Sequence, residues 1–334
     1  MDLSEFSDMQ LAGQRLMVGF TGTRISEELK FLIGHLKVGG LIFFAGNLQT
    51  PQQIKLLCFE AQQYARACRQ PPLFIAIDQE GGQVARLQAP FTRFAGNPSM
   101  KNEQDAVHFA QVTAAELTEI GVNMNMAPVV DVAPQEINSI MAERAFGSDP
   151  HRVARLGVAV IEHLQQNHIL AVAKHFPGIG RTVLDSHVDL PVCDVDLLLL
   201  EQFDLIPFKA AFSHEVSAVM LSHVVYPKLD PHWPASMSTL IARDLLRKRL
   251  GFDGLVLTDD LDMGAIAGHY DIQTAIGRVL AADIDMTLIC HKGPAIESAA
   301  DEILRMITDS SEIKARGIES VQRIMGMKKK YLLQ

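Results

Sequence analysis

The 334-residue sequence contains only four cysteines and one tryptophan, and it lacks the marks of several protein classes. Cys58, Cys68, Cys193 and Cys290 lie far apart with no Cys-x-x-Cys pair, which disfavours a disulfide framework and a structural zinc site. No apolar run approaches the ~18 residues that a membrane-spanning helix needs. The N-terminus is acidic and polar, whereas a secretory signal is basic and then apolar. We therefore expect a cytoplasmic protein with reduced thiols and no membrane partner.

Basic residues are also scarce, with 30 Lys and Arg against 39 Asp and Glu and a formal net charge of -9. Nucleic-acid binders cluster Lys and Arg on one face, so this balance argues against such a partner. The chain has no phosphate loop, no Gly-x-Gly-x-x-Gly after a strand and no His-Glu-x-x-His. Nucleotide-binding and zincin interpretations therefore lack their residues. We expect a monomer that acts on a small substrate without a cofactor or metal.

What the sequence does contain is a series of eight short apolar runs. They are continuously apolar, as is typical of parallel strands covered on both faces. Thr50-Pro51 and Asp149-Pro150 are N-cap and first-turn signals that predict helices between them. The runs are Leu16 to Phe20, Gly40 to Phe44, Leu73 to Ile77, Val122 to Met126, Leu170 to Ala173, Ala218 to Leu221, Leu255 to Leu257 and Met286 to Cys290.

This alternation of strand and helix predicts an α/β fold, a single (β/α)₈ TIM-type barrel. A doubly wound open sheet is the alternative. No linker or low-complexity tract interrupts residues 1–334, so we expect one domain. A closing helix is predicted over roughly Ile303 to Leu333, where the cations of Lys328 to Lys330 would complement the helix dipole.

Polar residues follow most of the predicted strands. In a (β/α)₈ barrel the active site lies at the C-terminal ends of the strands. Any one of these polar residues alone would fit a buried structural residue. Six of them at the same topological position indicate a site there. They are Asp78, Asp131, Lys174-His175, His223, Asp259-Asp260 and His291.

Two of these polar segments contain candidate catalytic groups. Asp259 directly follows the run Leu255 to Leu257 and Thr258, where a rigid strand would aim a carboxylate at a substrate carbon. A helix N-cap role is the alternative for Asp259. Asp185 and His187 lie two residues apart in a long Gly- and Pro-containing loop. A carboxylate this close can orient an imidazole and raise its pKa for acid/base work, and an ordinary loop ion pair is the alternative.

Six segments together resemble glycoside hydrolase family 3, and in particular its single-domain bacterial β-N-acetylglucosaminidases of the NagZ type. The match runs in order from about Gly39 to Gly264. The segments are IDQEGGQVARL, NMNMAPVVDV, ERAFGSDP, KHFPGIGRTVLDSHVDLP, VMLSHVVYP and GLVLTDDLDMGAI.

The resemblance implies a retaining exo-acting enzyme that removes terminal N-acetylglucosamine. It implies that Asp259 is the nucleophile, and that His187, oriented by Asp185, is the acid/base in place of the usual second carboxylate. The implied substrate is a muropeptide, N-acetylglucosamine linked to 1,6-anhydro-N-acetylmuramic acid, in peptidoglycan recycling. Substrate contacts are predicted for Asp78, Arg86, Arg144, Lys174, His175 and His223.

Three other functions compete with this hydrolase. A phosphorylase of the same fold is one, because a histidine acid/base does not repel phosphate. A non-catalytic sugar-binding barrel and a metal-dependent hydrolase using Lys174, His175, His223 and Asp259 are the others. The sequence departs from the family pattern at Ile179, where KHFPGHG would have a second histidine, and at Gln83, where relatives often have arginine.

Overall fold

In a computed structural model, which describes residues 3–291 and 293–333, eight parallel strands close into a barrel. The strands are β1 (Leu16–Val18), β2 (Gly40–Phe43), β3 (Phe74–Ile77), β4 (Met124–Asn125), β5 (Leu170–Phe176), β6 (Ala218–Leu221), β7 (Leu255–Asp260) and β8 (Met286–Ile289). Each pairs with its neighbour in sequence, and β1 pairs with β8. All eight predicted runs are barrel strands, so the (β/α)₈ fold is confirmed over the open sheet.

Helices pack around the barrel and bury its outer face. They begin with the predicted signals: Thr50 Oγ1 accepts a hydrogen bond from the Gln53 amide, and the Asp149 carboxylate accepts one from the His151 amide. Within the described residues no helix is long and apolar enough to cross a membrane. The helices are α1 (Asp8–Gly13), α2 (Glu27–Gly34), α3 (Pro51–Ala67), α4 (Glu103–Ile120), α5 (Pro150–Gln166), α6 (Leu197–Gln202), α7 (Leu205–Ser213), α8 (Leu240–Arg249), α9 (Gly264–Ala267), α10 (Ile272–Ala281), α11 (Pro294–Asp309) and α12 (Ser311–Leu332). Of these, α8 has the hydrogen-bond pattern of a π-helix.

Alternate residues of each strand point into the barrel and form its inner core. On β5 these are Leu170 and Val172, and on β7 they are Leu255 and Leu257. The next inward position on each strand is polar, Lys174 on β5 and Asp259 on β7. The same period of two therefore places Lys174 and Asp259 at the C-terminal layer of the barrel, above layers of apolar side chains.

The chain ends in two helices rather than the single one predicted, because the helix is interrupted at Ser310, between α11 and α12. The Ser310 hydroxyl accepts a hydrogen bond from the Ile313 amide and so caps α12. Lys328, which was predicted with Lys329 and Lys330 to complement the dipole of the closing helix, does not lie beside them at the surface. It is fully buried beneath the barrel, where its Nζ donates to Gln14 Oε1 at 2.7 Å and lies 5.1 Å from the centre of the Phe74 ring.

Burial lowers the pKa of Lys328 from 10.5 to about 7. The buried ammonium therefore lowers the free energy of unfolding. This destabilisation is complete below about pH 7 and decreases as the pH rises toward 10.5. We predict that Lys328→Met raises the free energy of unfolding by about 2 kcal/mol near neutral pH, and that the gain shrinks at alkaline pH. Urea unfolding across this pH range measures it. Exposed Lys329→Met is the control, and equal effects of the two substitutions would contradict the prediction.

Candidate active site

A cavity of about 470 Å³ opens at the C-terminal ends of the barrel strands. Its floor is apolar and includes Ile42, Met220 and Leu288, whereas its walls carry charged side chains. Eight of the nine predicted site residues line this one cavity, and only His223 does not. The eight are Asp78, Arg86, Arg144, Lys174, His175, Asp185, His187 and Asp259.

A buried ion network forms one wall of the cavity. Lys174 Nζ lies 2.9 Å from Asp78 Oδ1 and 2.7 Å from Glu80 Oε1. Arg144 binds the two oxygens of Glu80 through Nε and Nη2, at 3.0 and 2.7 Å. Arg86 Nη2 lies 3.3 Å from the second oxygen of Asp78. Burial alone would raise the pKa of Asp78, but Lys174 and Arg86 outweigh it and lower that pKa to about 2.

Glu80 is a member of this network that the sequence analysis missed. It lies in a short antiparallel hairpin formed by Gln79–Gly81 and Val84–Ala85. Gly81 and Gly82 make the turn possible with φ of +85° and +61°, values that favour glycine. The hairpin returns the chain so that Arg86 reaches Asp78. The sequence does contain a signal for this role of Glu80. Asp78 and Glu80 lie two residues apart at the end of a strand and directly precede a Gly-Gly turn.

Asp259 is the last inward-facing side chain of β7. Its Oδ1 accepts a hydrogen bond from the Asp260 amide at 2.8 Å. Burial opposes ionisation of Asp259, but His223, His175, the Asp260 amide and Lys174 together outweigh it and hold its pKa below the ordinary value. The carboxylate therefore faces the cavity in its charged form at neutral pH.

His175 meets Asp131, another of the predicted strand-end acids. The His175 ring Nδ1 lies 2.8 Å from Asp131 Oδ2, and the amides of His175 and Ile179 both donate to the same carboxylate. Asp131 is fully buried. It therefore fixes the His175 ring and the start of the long loop after β5. Ile179, which replaces a family histidine, is buried here and lines the cavity.

His223 does not reach the cavity surface, in contrast to its predicted role in substrate binding. Its Nδ1 lies 2.7 Å from Ser236 Oγ and its Nε2 lies 2.8 Å from the Asp260 carbonyl oxygen. Both ring nitrogens are thus occupied by protein atoms, and burial lowers the pKa of the ring. We infer that His223 supports the end of β7 instead of contacting the sugar.

Asp185 and His187 form a pair on the loop that borders the cavity opening. The His187 ring Nδ1 lies 2.8 Å from Asp185 Oδ1, and the His187 amide donates to the same oxygen. Burial would raise the pKa of Asp185, but these bonds outweigh it and lower that pKa. Because Asp185 occupies Nδ1, Nε2 is the ring atom left for a reacting group. The side chains are 55% and 68% exposed, so solvent reaches the pair.

The metal-hydrolase alternative finds little support in the positions of its four residues. His175 is bonded to Asp131, and His223 has no free nitrogen. Among described residues, metal-ligand atoms gather instead at Asp260, Asp262 and His291, within 4.8 Å of one another. There His291 Nδ1 lies 3.5 and 3.6 Å from the two carboxylates, and the amides of Cys290 and His291 donate to them, so contacts within the protein account for the cluster.

Residues 9–327 match the family described as "Glycosyl hydrolase family 3 N terminal domain". The chain belongs to glycoside hydrolase family 3. The family resemblance seen in the six segments is thereby confirmed, and with it the prediction of a glycoside hydrolase. Family 3 membership is consistent with the closed eight-stranded barrel.

Several family 3 relatives are similar along most of the chain. The "Beta-hexosaminidase" of Nitrosomonas eutropha is 36% identical over 298 residues, covering 86% of this chain and 83% of the relative. That of Pseudomonas aeruginosa is 36% identical over 306 residues, covering 90% and 89%.

Solved family 3 structures share the fold closely. A β-N-acetylglucosaminidase from Paenibacillus sp. str. FPU-7 has a TM-score of 0.93 at 35% identity, over 98% of this chain. The present chain spans only 63% of that protein. NagZ from Neisseria gonorrhoeae, in complex with N-trifluoroacetyl-D-glucosamine, has a TM-score of 0.78 at 27% identity, over 92% of this chain and 98% of that one.

We predict that Glu80→Gln destabilises the protein, because it removes one of two carboxylates that balance the buried charges of Lys174 and Arg144. The expected loss in the free energy of unfolding is about 2–3 kcal/mol. Urea unfolding at neutral pH measures it. Glu27→Gln, which breaks the exposed Lys30–Glu27 pair, is the matched control and should cause no measurable change. A similar result for both variants would contradict the importance of the network.

Proposed function

We propose that this chain is a retaining exo-β-N-acetylglucosaminidase. The observation that carries the proposal is that a charged Asp259 and the Asp185–His187 pair line one cavity. The cavity ends on the apolar floor of the barrel, so it accepts the end of a saccharide and not its middle. The names of the relatives, Beta-hexosaminidase and β-N-acetylglucosaminidase, support N-acetylglucosamine as the sugar removed.

The first proposed step forms a covalent intermediate. Asp259 Oδ1 is held by the Asp260 amide, so Oδ2 attacks the anomeric carbon and forms a bond to it. The glycosidic C–O bond breaks, and protonated His187 gives the Nε2 proton to the departing oxygen. Asp185 stabilises the charged ring through Nδ1.

The second proposed step releases the sugar. His187, now neutral, takes a proton from water at Nε2, and the water oxygen attacks the anomeric carbon. The bond to Asp259 breaks, and the product leaves with its original configuration after two inversions. Both steps use one histidine in opposite protonation states.

The ion network is the proposed sugar-binding wall. Asp78 accepts hydrogen bonds from sugar hydroxyls, while Arg86, Arg144, Lys174 and His175 supply donors. Because Lys174 and Arg144 already pair with Glu80, their positions are set before the substrate arrives. A pre-formed wall lowers the cost of ordering side chains on binding.

The finer points of the proposal concern substrate and setting. We propose a muropeptide, N-acetylglucosamine linked to 1,6-anhydro-N-acetylmuramic acid, as the substrate in peptidoglycan recycling, on the strength of the family resemblance. A cytoplasmic location and a monomeric state stay predictions. Comparing release from this muropeptide and from a chitin disaccharide tests the substrate assignment, and a clear preference for the disaccharide would contradict it.

A phosphorylase is the second candidate function, because the acid/base is an exposed imidazole and not a carboxylate. Phosphate would then attack the intermediate in place of water and yield N-acetylglucosamine 1-phosphate. Product analysis with and without inorganic phosphate separates the two reactions. The free sugar alone in both mixtures supports the hydrolase. A sugar-binding protein without catalysis would yield neither product.

We predict that Asp259→Ala lowers release of nitrophenol from a nitrophenyl β-N-acetylglucosaminide by at least ~10³-fold, because it removes the carboxylate that forms the proposed intermediate. Asp253→Ala removes an exposed acid just before the same strand and should leave the rate unchanged. Turnover by Asp259→Ala close to that of the parent protein would contradict the nucleophile assignment. Loss of activity in EDTA would favour the metal-dependent alternative.

A further inference from the structure

The loop that carries Asp185 and His187 is attached to the segment that follows the nucleophile strand. We call residues 185–189 the acid/base loop and residues 263–269 the docking segment. The Gly264 amide donates to the His187 carbonyl oxygen at 3.3 Å, and the Ala265 amide donates to that of Ser186 at 3.0 Å. These bonds join the loop to the start of α9, only a few residues beyond Asp259 and Asp260.

A side-chain pair makes a third connection at the outer edge. His269 Nε2 lies 2.6 Å from Asp189 Oδ1, and both side chains are partly exposed. The interaction with His269 lowers the pKa of Asp189, so the carboxylate is charged at neutral pH. The pair lies outside the catalytic cavity, because neither residue lines it.

The two segments approach so closely that they leave no room for a side chain at position 264. A Cβ at this position would lie 2.7 Å from the carbonyl oxygens of both His187 and Val188. Those are backbone atoms, which cannot move without moving the loop itself. Any side chain at position 264 therefore displaces the loop that carries His187.

Hydrophobic burial contributes little to holding the acid/base loop. Val183, Leu184 and Val188 in and beside it are exposed, and Val188 is 74% exposed. The His187 ring is held by Asp185, which belongs to the same loop and moves with it. The position of His187 relative to Asp259 therefore depends on contacts from outside the loop, and the docking segment supplies three of them.

We propose that Gly264 and His269 are positioning residues, which hold His187 where it can protonate the leaving oxygen. They act through the backbone and Asp189 of the acid/base loop. Gly264 borders the catalytic cavity but has no side chain, and His269 lies outside the cavity. The proposal rests on the proposed function, since it assumes that His187 is the acid. It adds residues that set the geometry between the two catalytic groups.

Leaving-group dependence separates lost positioning from general damage. A dinitrophenolate departs without protonation, whereas a sugar hydroxyl needs the acid. The value of kcat/KM reports the steps up to cleavage and so excludes the later attack of water. The two probes are 2,4-dinitrophenyl β-N-acetylglucosaminide and the β-1,4-linked disaccharide of N-acetylglucosamine.

We predict that Gly264→Ala lowers kcat/KM for the disaccharide by about 30-fold or more, and His269→Ala by about 5-fold, while both change it by less than about 3-fold for the dinitrophenyl substrate. Two matched controls should leave both values unchanged. Gly277→Ala places a Cβ in α10 at an ordinary van der Waals distance of 3.9 Å from Met306, with no clash. His214→Ala breaks a similarly exposed pair with Glu162.

His187→Ala measures how far kcat/KM for each substrate falls when the acid is absent. The double variant His187→Ala/Gly264→Ala should be no slower on the disaccharide than His187→Ala alone. Suppose that His187→Ala lowers kcat/KM for the disaccharide far more than for the dinitrophenyl substrate. The positioning role would then be overturned if Gly264→Ala lowered kcat/KM equally for both substrates and His269→Ala changed neither value. If His187→Ala itself shows no selectivity, the acid role fails, and the positioning role falls with it. His269→Ala changes only a surface pair, so the test survives if Gly264→Ala does not fold.

Discussion

Closure of eight parallel strands into a barrel is the constraint on which the rest of this structure depends. Once closed, the barrel has an interior that must be filled, and inward positions of the strands carry Met, Leu and Val for most of their length. The α12 residues Ile324, Lys328 and Tyr331 close the lower end. The cavity at the C-terminal rim collects most of the predicted site residues, so the chemistry is placed there.

At that rim the decisive interaction is the buried Lys174 ammonium between Asp78 and Glu80. A cation this deep needs compensating charge, and two carboxylates provide it, Asp78 at the end of β3 and Glu80 in the hairpin that follows. The same cation helps keep Asp259 ionised. One ion network therefore fixes the hairpin, presents hydrogen-bonding groups to a sugar and favours the charged form of the proposed nucleophile.

The hydrophobic pattern of the sequence predicted those features that depend on the two-residue repeat of a β-strand. The eight strands and the inward places of Asp78, Lys174 and Asp259 follow from apolar runs and the period of two. Glu80 was missed because it belongs to a hairpin outside the barrel, and His223 was misplaced because strand-end position does not show which way a ring is bonded. The break at Ser310 involves a local helix cap, whereas the burial of Lys328 and the close contact at Gly264 depend on packing against residues distant in the sequence.

The proposed mechanism depends on a covalent bond between Asp259 and the sugar, which mass spectrometry can detect. The protein is treated with a 5-fluoro N-acetylglucosaminyl fluoride, which forms the intermediate readily but releases it slowly, and is then digested. The account predicts one added fluorinated sugar on the peptide that contains Asp259, located on that residue by fragmentation. A label on another residue, or continued turnover with no labelled intermediate, would contradict it.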